Sequence, residues 1–445
     1  MSKTRQNRAR PPRAEQSSGT QGQWTVSRGL VAHATHVLAA VLTFEHPADA
    51  VLSRYFKEHR EIGHRDRGFI AEAVYGIVRR LRWVARLAGV KPGPRDLLLV
   101  WLARGEGWSI RQFEGLVSAA EVRWLEEVRA TSFEPATAGE ALDLPDWLAS
   151  RLGAEYGDEA LQALANGFNR AAPLDLRANL AKLNREALLQ GLASSGVEAS
   201  ACRYSPAGVR LAGKPALQKH PLFISGSFEV QDEGSQLLGY LVQPRRGELV
   251  VDFCAGAGGK TLQLGAMMRS TGRLYAFDVS DRRLGKLKPR MARAGLSNVH
   301  PVLIAHERDT KVKRLAGKAD RVLVDAPCSG LGTLRRNPDL KWRQSPESVA
   351  EMAVKQQAIL EAAATLVKPG GRLVYATCSL LAEENDSVVD AFVASHPEFA
   401  LLSAEGVLAD QGIALDCGER LRLLPHVHDT DGFFAAVLER QTDAD

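Results

Sequence analysis

Two cysteines stand at the ends of two short apolar runs in this sequence. Cys328 follows a proline in "VLVDAPCSGLGT", and Cys378 follows a threonine in "LVYATCSLL". A thiolate is a strong nucleophile, so two thiols at matching strand ends indicate covalent catalysis at one site. Either cysteine could instead be a small buried residue. The matched positions, and Asp325 just before the first cysteine, favour the catalytic interpretation.

A glycine-rich turn lies upstream in "GELVVDFCAGAGGKT", between an apolar run and the start of a helix. It is not a P-loop, because Cys254 occupies the position of the first glycine. It is not a dinucleotide fingerprint, because Thr261 occupies the position of the third. The next apolar run ends at Asp278, whose carboxylate can accept hydrogen bonds from both hydroxyls of a ribose. A ligand with a ribose but no phosphate fits best, and this predicts S-adenosylmethionine as the cofactor.

A methyl donor beside two thiols points to one chemical problem. C5 of a pyrimidine is too poor a nucleophile to take a methyl group unaided, but addition of a thiolate to C6 converts the ring to an enamine that can. Asp325 can then hydrogen-bond N3 of a cytosine and stabilise the adduct. The second thiol can assist removal of the C5 proton or release of the product. The predicted reaction is therefore methylation of cytosine at C5.

The elements that must position these residues alternate between strands and helices. From "FEVQDEGSQLLGYLV" onward, short β-branched runs are separated by helical stretches, which predicts a doubly wound parallel sheet. Ligands of such sheets bind beyond the carboxyl ends of the strands, where both cysteines lie. The predicted fold class is α/β: a Rossmann-like methyltransferase domain preceded by a small α+β module and an all-α domain. The predicted segments are a basic tail over 1–23, the helical domain over 24–134, the α+β module over 135–228 and the catalytic domain over 229–442.

The chain resembles the Sun/Nop-type RNA (cytosine-5) methyltransferases. The matching stretches run in the family's order and are "FEVQDEGSQ", "VVDFCAGAGGKT", "AFDVS", "VLVDAPCSGLGTLRRNPDLKWR", "LVKPGGRLVYATCSLLAEEN" and "DGFFAAVLER". Near the N-terminus, "RDRGFIAEAVYGIVRR" is similar to the NusB-like domain of the bacterial rRNA branch. The resemblance implies an RNA partner, 16S rRNA in that branch. A tRNA substrate, or a non-enzymatic RNA-binding ribosome assembly factor, is the alternative.

The resemblance also implies a role for each site residue. Cys378 attacks C6, Cys328 helps to release the product, and Asp325 contacts both the base and the cofactor. The other expected cofactor contacts are Cys254, Ala255, Gly256, Ala257, Gly258, Gly259, Lys260, Asp278 and Asp309.

Two details of the cofactor site are open to more than one interpretation. The family places a further acid near the adenine, and Asp309 is our prediction for it, with Glu307 and His306 as alternatives. The family loop usually has Ala-Pro where this chain has Gly256 and Ala257. The loss of the proline should loosen the unbound loop, but cofactor binding is expected to survive.

Composition limits the class of protein. The chain has 445 residues, of which 45% are hydrophobic and 24% charged, as is typical of globular proteins. No apolar run approaches the roughly 18 residues that span a bilayer, and no signal-peptide core is present. Five cysteines without metal-ligand spacing favour the reducing cytosol. We therefore expect a cytoplasmic monomer with no membrane and no bound metal.

Three basic groups are candidates for RNA contact. The tail group could bind phosphates or simply be solvated; its members are Lys3, Arg5, Arg8, Arg10 and Arg13. The helical group favours a solvated face, with an RNA-facing surface as the alternative; its members are Arg79, Arg80, Arg82 and Arg86. The third group favours gripping phosphates and stacking an unpaired base, with a surface loop that has a packed tryptophan as the alternative; its members are Arg335, Arg336, Lys341, Trp342 and Arg343. A metal at "LPHVHDTDGFF" is less favoured than a substrate-side role for His426, His428 and Asp431.

Overall fold

The first part of the chain is helical. The computed structural model describes residues 26–442, so the predicted basic tail lies outside the described residues. The first helices are α1 (Arg28–Val41), α2 (Ala48–Glu58), α3 (His64–Arg79), α4 (Leu81–Ala88), α5 (Pro94–Val100) and α6 (Ala119–Ala130), with a π segment at Trp101–Gly105 and a 3₁₀ segment at Ile110–Phe113. Their apolar faces share one core that includes Leu38, Ile70, Ile77 and Leu98. The prediction of an all-α region is confirmed.

Three more helices and a small sheet follow. The helices are α7 (Ala138–Leu142), α8 (Asp146–Tyr156) and α9 (Asp158–Phe168). The elements of the small sheet region are β1 (Leu174–Ala178), α10 (Arg185–Ser194), β2 (Ala199–Ala201), β3 (Gly208–Leu211), a 3₁₀ segment at Leu217–Lys219, α11 (Pro221–Ile224) and β4 (Phe228–Val230). The strands pair antiparallel in the order β2-β3-β1-β4, and α10 packs Leu188 and Leu192 into the core beside them. This is the predicted small α+β module.

The rest of the chain forms a large sheet with helices on both faces. Its strands are β5 (Leu249–Asp252), β6 (Arg273–Asp278), β7 (Val299–Leu303), β8 (Ala319–Asp325), β9 (Val367–Thr377), β10 (Phe399–Leu402), β11 (Leu421–Leu423) and β12 (Phe433–Arg440). Its helices are α12 (Glu233–Val242), α13 (Gly259–Met267), α14 (Asp281–Ala294), α15 (Thr310–Lys313), α16 (Leu340–Arg343), α17 (Pro346–Ala364), α18 (Asp386–Ser395), α19 (Ala404–Ala409) and α20 (Pro425–His428), with 3₁₀ segments at Leu331–Thr333 and Ala382–Glu384.

Five strands of this sheet are parallel, in the order β9-β8-β5-β6-β7, which confirms the predicted doubly wound fold. Three antiparallel strands extend it: β12 pairs with β9, and β10 and β11 pair with β12. In the central strand, Val250 packs into the core on one face and Val251 into the core on the other. Burial on both faces explains why these strands read as continuous apolar runs.

The strand order reverses at β5, whose neighbours are β6 on one side and β8 on the other. In open α/β sheets the crevice at such a switch point, beyond the carboxyl ends of the strands, is where ligands bind. The candidate residues of β5, β6, β8 and β9 therefore come to one edge. Within the described residues, none of the helices combines the length and apolar character that crossing a bilayer requires.

The helical region is fastened to the large sheet by the segment that follows Cys328. Trp342 Nε1 donates to the carbonyl of Val78 at 2.8 Å, and Lys341 Nζ donates to the carbonyl of Arg79 at 2.7 Å. Helices α8 and α9 share a separate apolar core with the same segment, through Leu331 and Leu334. The loop after Cys328 is thus held both by the helical region and by helices α8 and α9.

Candidate active site

A cavity of about 410 Å³ opens at the carboxyl ends of β5, β6 and β8. Its walls include most of the predicted cofactor residues, namely Cys254, Ala255, Gly256, Ala257, Gly259, Lys260, Asp278 and Asp325. Apolar side chains complete one side: Phe253, Val279, Ile304, Pro327 and Ile359. A pocket with aspartates at the strand ends and one apolar side suits a molecule that carries both a ribose and a flat base.

The turn after β5 depends on glycine at two positions. Gly256 has φ of +57° and Gly258 has φ of +86°, a region that side chains with a Cβ rarely adopt. A Cβ on Gly258 would also lie 2.2 Å from Cδ1 of Leu287 in α14. Gly258 therefore has to be glycine for two independent reasons, although it does not itself line the cavity. Gly256 stands where the family has alanine, and its positive φ is a conformation that glycine adopts easily.

Two carboxylates brace this turn from adjacent strands. Asp278 accepts a hydrogen bond from the amide of Gly256 at 2.8 Å through Oδ2, while its Oδ1 lies 3.0 Å from Arg283. Asp252 is buried and accepts a bond from the hydroxyl of Thr261 at 2.6 Å, and its other oxygen has no partner in the described part of the chain. Burial raises the pKa of Asp252 to about 7. Both aspartates therefore support the turn, and both also line the cavity.

Asp325 and Lys260 form an ion pair at the inner end of the cavity. Lys260 Nζ lies 2.6 Å from Oδ2 of Asp325, and both side chains are largely buried. Burial by itself lowers the pKa of Lys260, but the Asp325 carboxylate outweighs it and the net shift is upward. The pair can hold and deliver a proton next to the thiols.

The two predicted catalytic cysteines meet at one point. Sγ of Cys328 lies 3.3 Å from Sγ of Cys378, although the residues belong to the ends of different strands. The hydrogen bond to Cys378 and burial raise the pKa of Cys328 well above that of a free thiol. Cys254 is half-buried, and desolvation raises the pKa of its thiol.

The structure favours a different acid near the predicted adenine position. Asp309, our prediction from the sequence, is half-buried and caps α15: its carboxylate accepts from the amides of Lys311 at 2.9 Å and Ala305 at 2.8 Å. Glu307, named only as an alternative, lines the cavity, whereas Asp309 does not. Asp309 stays a prediction, but an aspartate before a short helix is already bonded to the backbone, which favours Glu307.

Sequence reasoning missed a contribution from the small sheet. Arg177 of β1 is buried and donates to the carbonyl of Gly259 at 2.8 Å, and it also bonds Gln231, which lines the cavity. The small sheet thus supports the start of α13 directly. Gln231 lies in the matched stretch "FEVQDEGSQ", which was the available signal for it; Arg177 carried no local signal.

The third basic group does not face a nucleic acid. Arg335 is 3% exposed and binds Asp429 at 2.9 Å, while Arg336 binds Asp431 at 2.6 Å and Asp232 at 2.9 Å. Lys341 and Trp342 are bonded to the helical region as described above, and Arg343 lies 3.6 Å from Asp339. The prediction that this run grips phosphates and stacks a base is wrong, because these side chains hold the fold together.

Three of the helical arginines are likewise engaged. Arg79 donates to the carbonyl of Arg335 at 3.1 Å, Arg80 pairs with buried Asp143 at 2.5 Å, and Arg82 pairs with Asp146 at 2.7 Å. Neither the solvated face nor the RNA-facing surface that the sequence suggested describes them. They form contacts between α3, α4 and the rest of the chain.

Histidines near the C-terminus lie in the short helix α20. Nδ1 of His428 accepts from the amide of Leu424 at 2.9 Å, which ties the helix to its own start. Among residues 26–442, no group of three or more His, Cys, Asp or Glu side chains is placed to hold a metal ion. The substrate-side role of His426 and His428 stays a prediction.

Comparisons with known proteins agree with this arrangement. Residues 239–439 match the family model described as 16S rRNA methyltransferase RsmB/F, and residues 144–218 match the ferredoxin-like domain of RsmF/B-like methyltransferases. The chain is 34% identical over 425 residues to the probable ribosomal RNA small subunit methyltransferase B of Synechocystis sp., covering 88% of this chain and 95% of that protein. It is 31% identical to the ribosomal RNA small subunit methyltransferase B of Sodalis glossinidius, covering 86% and 92%.

Solved structures share the fold. The crystal structure of PH0851 superposes with a TM-score of 0.76 at 28% identity, over 94% of this chain and all of that one. NSun6 from Pyrococcus horikoshii with SFG superposes with a TM-score of 0.59 at 22% identity, over 67% of this chain and 99% of that one. The second likeness concerns the fold alone.

Proposed function

The chain belongs to the RsmB/F family of 16S rRNA methyltransferases, of the Sun/Nop type, and from this premise we propose that it methylates C5 of a cytosine in 16S rRNA through a covalent bond between Cys378 and C6 of the base. The coarser part is a property of the family: the protein is an rRNA methyltransferase that uses S-adenosylmethionine. The choice of cytosine C5, and the roles of individual residues, are the proposal. An rRNA substrate agrees with the expected cytoplasmic location.

The observation that carries the proposal is the pair of thiols 3.3 Å apart beside an acid-base pair. Methylation of a nucleophilic atom such as an amine or hydroxyl needs no thiol. Methylation of C5 of a pyrimidine needs a thiol, because the ring must first be activated by addition at the neighbouring carbon, C6. Two thiols that adjoin a cofactor cavity, which Pro327 lines directly before Cys328, therefore favour C5 of a pyrimidine.

The raised pKa of Cys328 supports different roles for the two sulfurs. As the resemblance to the family implies, Cys378 attacks C6 as a thiolate after its own proton has passed to a base, and the Cys328 thiol, 3.3 Å away, can donate a hydrogen bond to that sulfur. Bond formation between Sγ of Cys378 and C6 places negative charge on the ring around N3. A proton held by Asp325 and Lys260 stabilises that charge.

The cavity residues fit the cofactor. Asp278 at the end of β6 is placed for ribose hydroxyls, Glu307 lies near the apolar side, and the glycine turn lets the backbone approach closely. S-adenosylmethionine, when bound, supplies an electrophilic methyl group. After C5 has taken it, the C5 proton leaves to a base, the bond between Cys378 and C6 breaks, and the ring regains its double bond. The Cys328 thiol is placed to donate a hydrogen bond to the sulfur of Cys378 as that sulfur leaves C6 as a thiolate.

The test compares single cysteine variants on unmethylated 16S rRNA. Cys378→Ala should abolish methylation and form no covalent protein–RNA adduct. Cys328→Ala should accumulate a stable adduct, seen as a slowly migrating band on a denaturing gel. Cys417→Ala, a half-buried cysteine outside the site, is the matched control and should behave as wild type. Bisulfite mapping of the product identifies the base.

Opposite results would be equally informative. If Cys328→Ala lost the adduct while Cys378→Ala kept it, the roles would be reversed and the proposal overturned. Calorimetry with S-adenosylmethionine addresses the alternative of an assembly factor, because no heat and no thermal shift would favour a non-enzymatic role. A methylated tRNA with unmodified 16S rRNA would contradict the substrate.

A further inference from the structure

Each cysteine of the pair is followed by a serine, and both serines bind the same buried carboxylate. Glu384 Oε2 accepts from the hydroxyl of Ser329 at 2.5 Å and from the hydroxyl of Ser379. Its Oε1 accepts from the amide of Ser329 at 2.7 Å and from Nε2 of Gln356 at 3.0 Å. The side chain of Glu384 is completely buried.

A carboxylate in this position is unusual, because buried charges are normally paired with a cation. Within residues 26–442, no Lys, Arg or His lies within ion-pair distance of Glu384; its partners are four hydrogen-bond donors. Bonds from such donors to a charged group are stronger than neutral ones. The backbone of Glu384 is also fixed, because Tyr375 donates its hydroxyl to the Glu384 carbonyl at 2.7 Å.

The strand ladder does not reach the cysteines. The last paired residues of β8 and β9 are Asp325 and Ala376, so Cys328 and Cys378 lie beyond the end of the ladder. Regular sheet hydrogen bonding therefore cannot set the distance between the two sulfurs. The bonds that span the two chain segments beyond the ladder include those to Glu384, on the residue directly after each cysteine.

We propose that Glu384 is a positioning residue for the two-thiol reaction: its carboxylate holds Ser329 and Ser379 together and thereby sets the approach of Cys328 to Cys378. This inference rests on the proposed function. Glu384 does not line the cofactor cavity and is not itself a group that touches the substrate.

The charge of Glu384 adds a second effect. After the bond to Cys378 and burial, the negative charge of Glu384 also raises the pKa of Cys328. The same carboxylate thus holds the two sulfurs in place and opposes ionisation of Cys328. A residue with a purely structural role would hold the sulfurs in place without changing the ionisation of Cys328.

The experiment compares Glu384→Gln with Glu383→Gln. The control is the same substitution at the preceding residue, which is partly exposed and paired with Arg151 at 3.0 Å. We expect Glu384→Gln to slow single-turnover methyl transfer to 16S rRNA by roughly 100-fold, the scale of a small misplacement of reacting groups. Binding of S-adenosylmethionine should change less than twofold. Glu383→Gln should match wild type in both.

A readout that needs no RNA separates this inference from the proposed function. In the Cys378→Ala background, alkylation of Cys328 is followed against pH by peptide mass spectrometry, with and without Glu384→Gln. The midpoint should move to lower pH when the charge is removed. If methyl transfer proves not to use Cys378, the proposed function fails, while this shift still tests the effect of Glu384 on Cys328.

Two outcomes would overturn the inference. One is an unchanged transfer rate and an unchanged alkylation midpoint in Glu384→Gln. The other is a parallel loss of transfer, cofactor binding and thermal stability, which would show a general structural role. Ser329→Ala with Ser379→Ala provides a second variant: it should lower the transfer rate with the carboxylate intact, and Glu384→Gln should add little to it.

Discussion

Gly332 lies where three backbone segments converge behind the thiols, and its replacement by alanine should damage both stability and catalysis. Its amide donates to the carbonyl of Cys378 at 2.8 Å, and its own carbonyl accepts from the amide of Gly432 at 2.7 Å. A Cβ on Gly332 would lie 2.2 Å from the Gly432 oxygen and 2.8 Å from the Cys378 oxygen. Both neighbours are backbone atoms, so no side chain can rotate away to make room.

The size of the effect follows from these contacts. Overpacking a well-filled site costs about 1–3 kcal/mol. Each backbone hydrogen bond that the shift weakens contributes about 1 kcal/mol. We therefore expect Gly332→Ala to lower the free energy of unfolding by roughly 3 kcal/mol. It should also slow methyl transfer, because the displaced carbonyl belongs to Cys378, the proposed nucleophile.

Urea denaturation and single-turnover methyl transfer measure the two effects. Gly285→Ala is the control: Gly285 is exposed in α14, and a Cβ there would meet nothing within 4 Å. In a helix interior this change should stabilise by up to about 1 kcal/mol. The reasoning is refuted if Gly332→Ala unfolds within about 0.5 kcal/mol of wild type and methylates at the wild-type rate.

Two further predictions concern the cofactor site and the contact between the helical region and the sheet. Glu307→Ala should weaken S-adenosylmethionine binding about tenfold or more, as expected for a lost hydrogen bond to a charged group, whereas Asp309→Ala should leave it unchanged; calorimetry showing the reverse order would restore Asp309. Burial lowers the pKa of Lys341 to about 7, so between pH 7 and 10 the unfolded chain holds a proton that the folded chain lacks, and stability should rise with pH. Relative to Lys341→Met, the free energy of unfolding of the wild type should rise by at most roughly 1.4 kcal/mol per pH unit in that window, and a constant difference across these pH values would contradict a buried, titrating lysine.

The fold and the chemical centre could be predicted because their signals are local. Apolar runs that end in Asp278, Asp325 and the two cysteines indicate parallel strands, and parallel strands deliver their ends to one edge. The glycine turn could also be predicted from local residues, because a turn with positive φ at Gly256 and Gly258 requires glycine at those positions. In each case a few adjacent residues contain the whole physical reason.

The remaining features depended on partners far away in sequence. The predicted RNA-binding run could not be distinguished from an internal one, because the acids that neutralise Arg335 and Arg336 lie about a hundred positions away. Similarly, no sequence pattern near Arg177 predicts that its side chain contacts the start of α13. The sequence also could not show that Glu307, rather than Asp309, lines the cavity. Glu384 lies in the matched stretch "LVKPGGRLVYATCSLLAEEN", but a glutamate next to another acid resembles a surface residue, so its burial could not be predicted.

The loop after Cys328 contacts the helical region, and this contact limits where the chain can be cut into separate fragments. Lys341 and Trp342 end their hydrogen bonds on carbonyls of α3, so a fragment lacking the first hundred or so residues would expose both side chains to water. These two residues lie 13 and 14 positions after Cys328 in the same loop. A chimera that exchanges the helical region between relatives should work only when both halves of this contact are transplanted together.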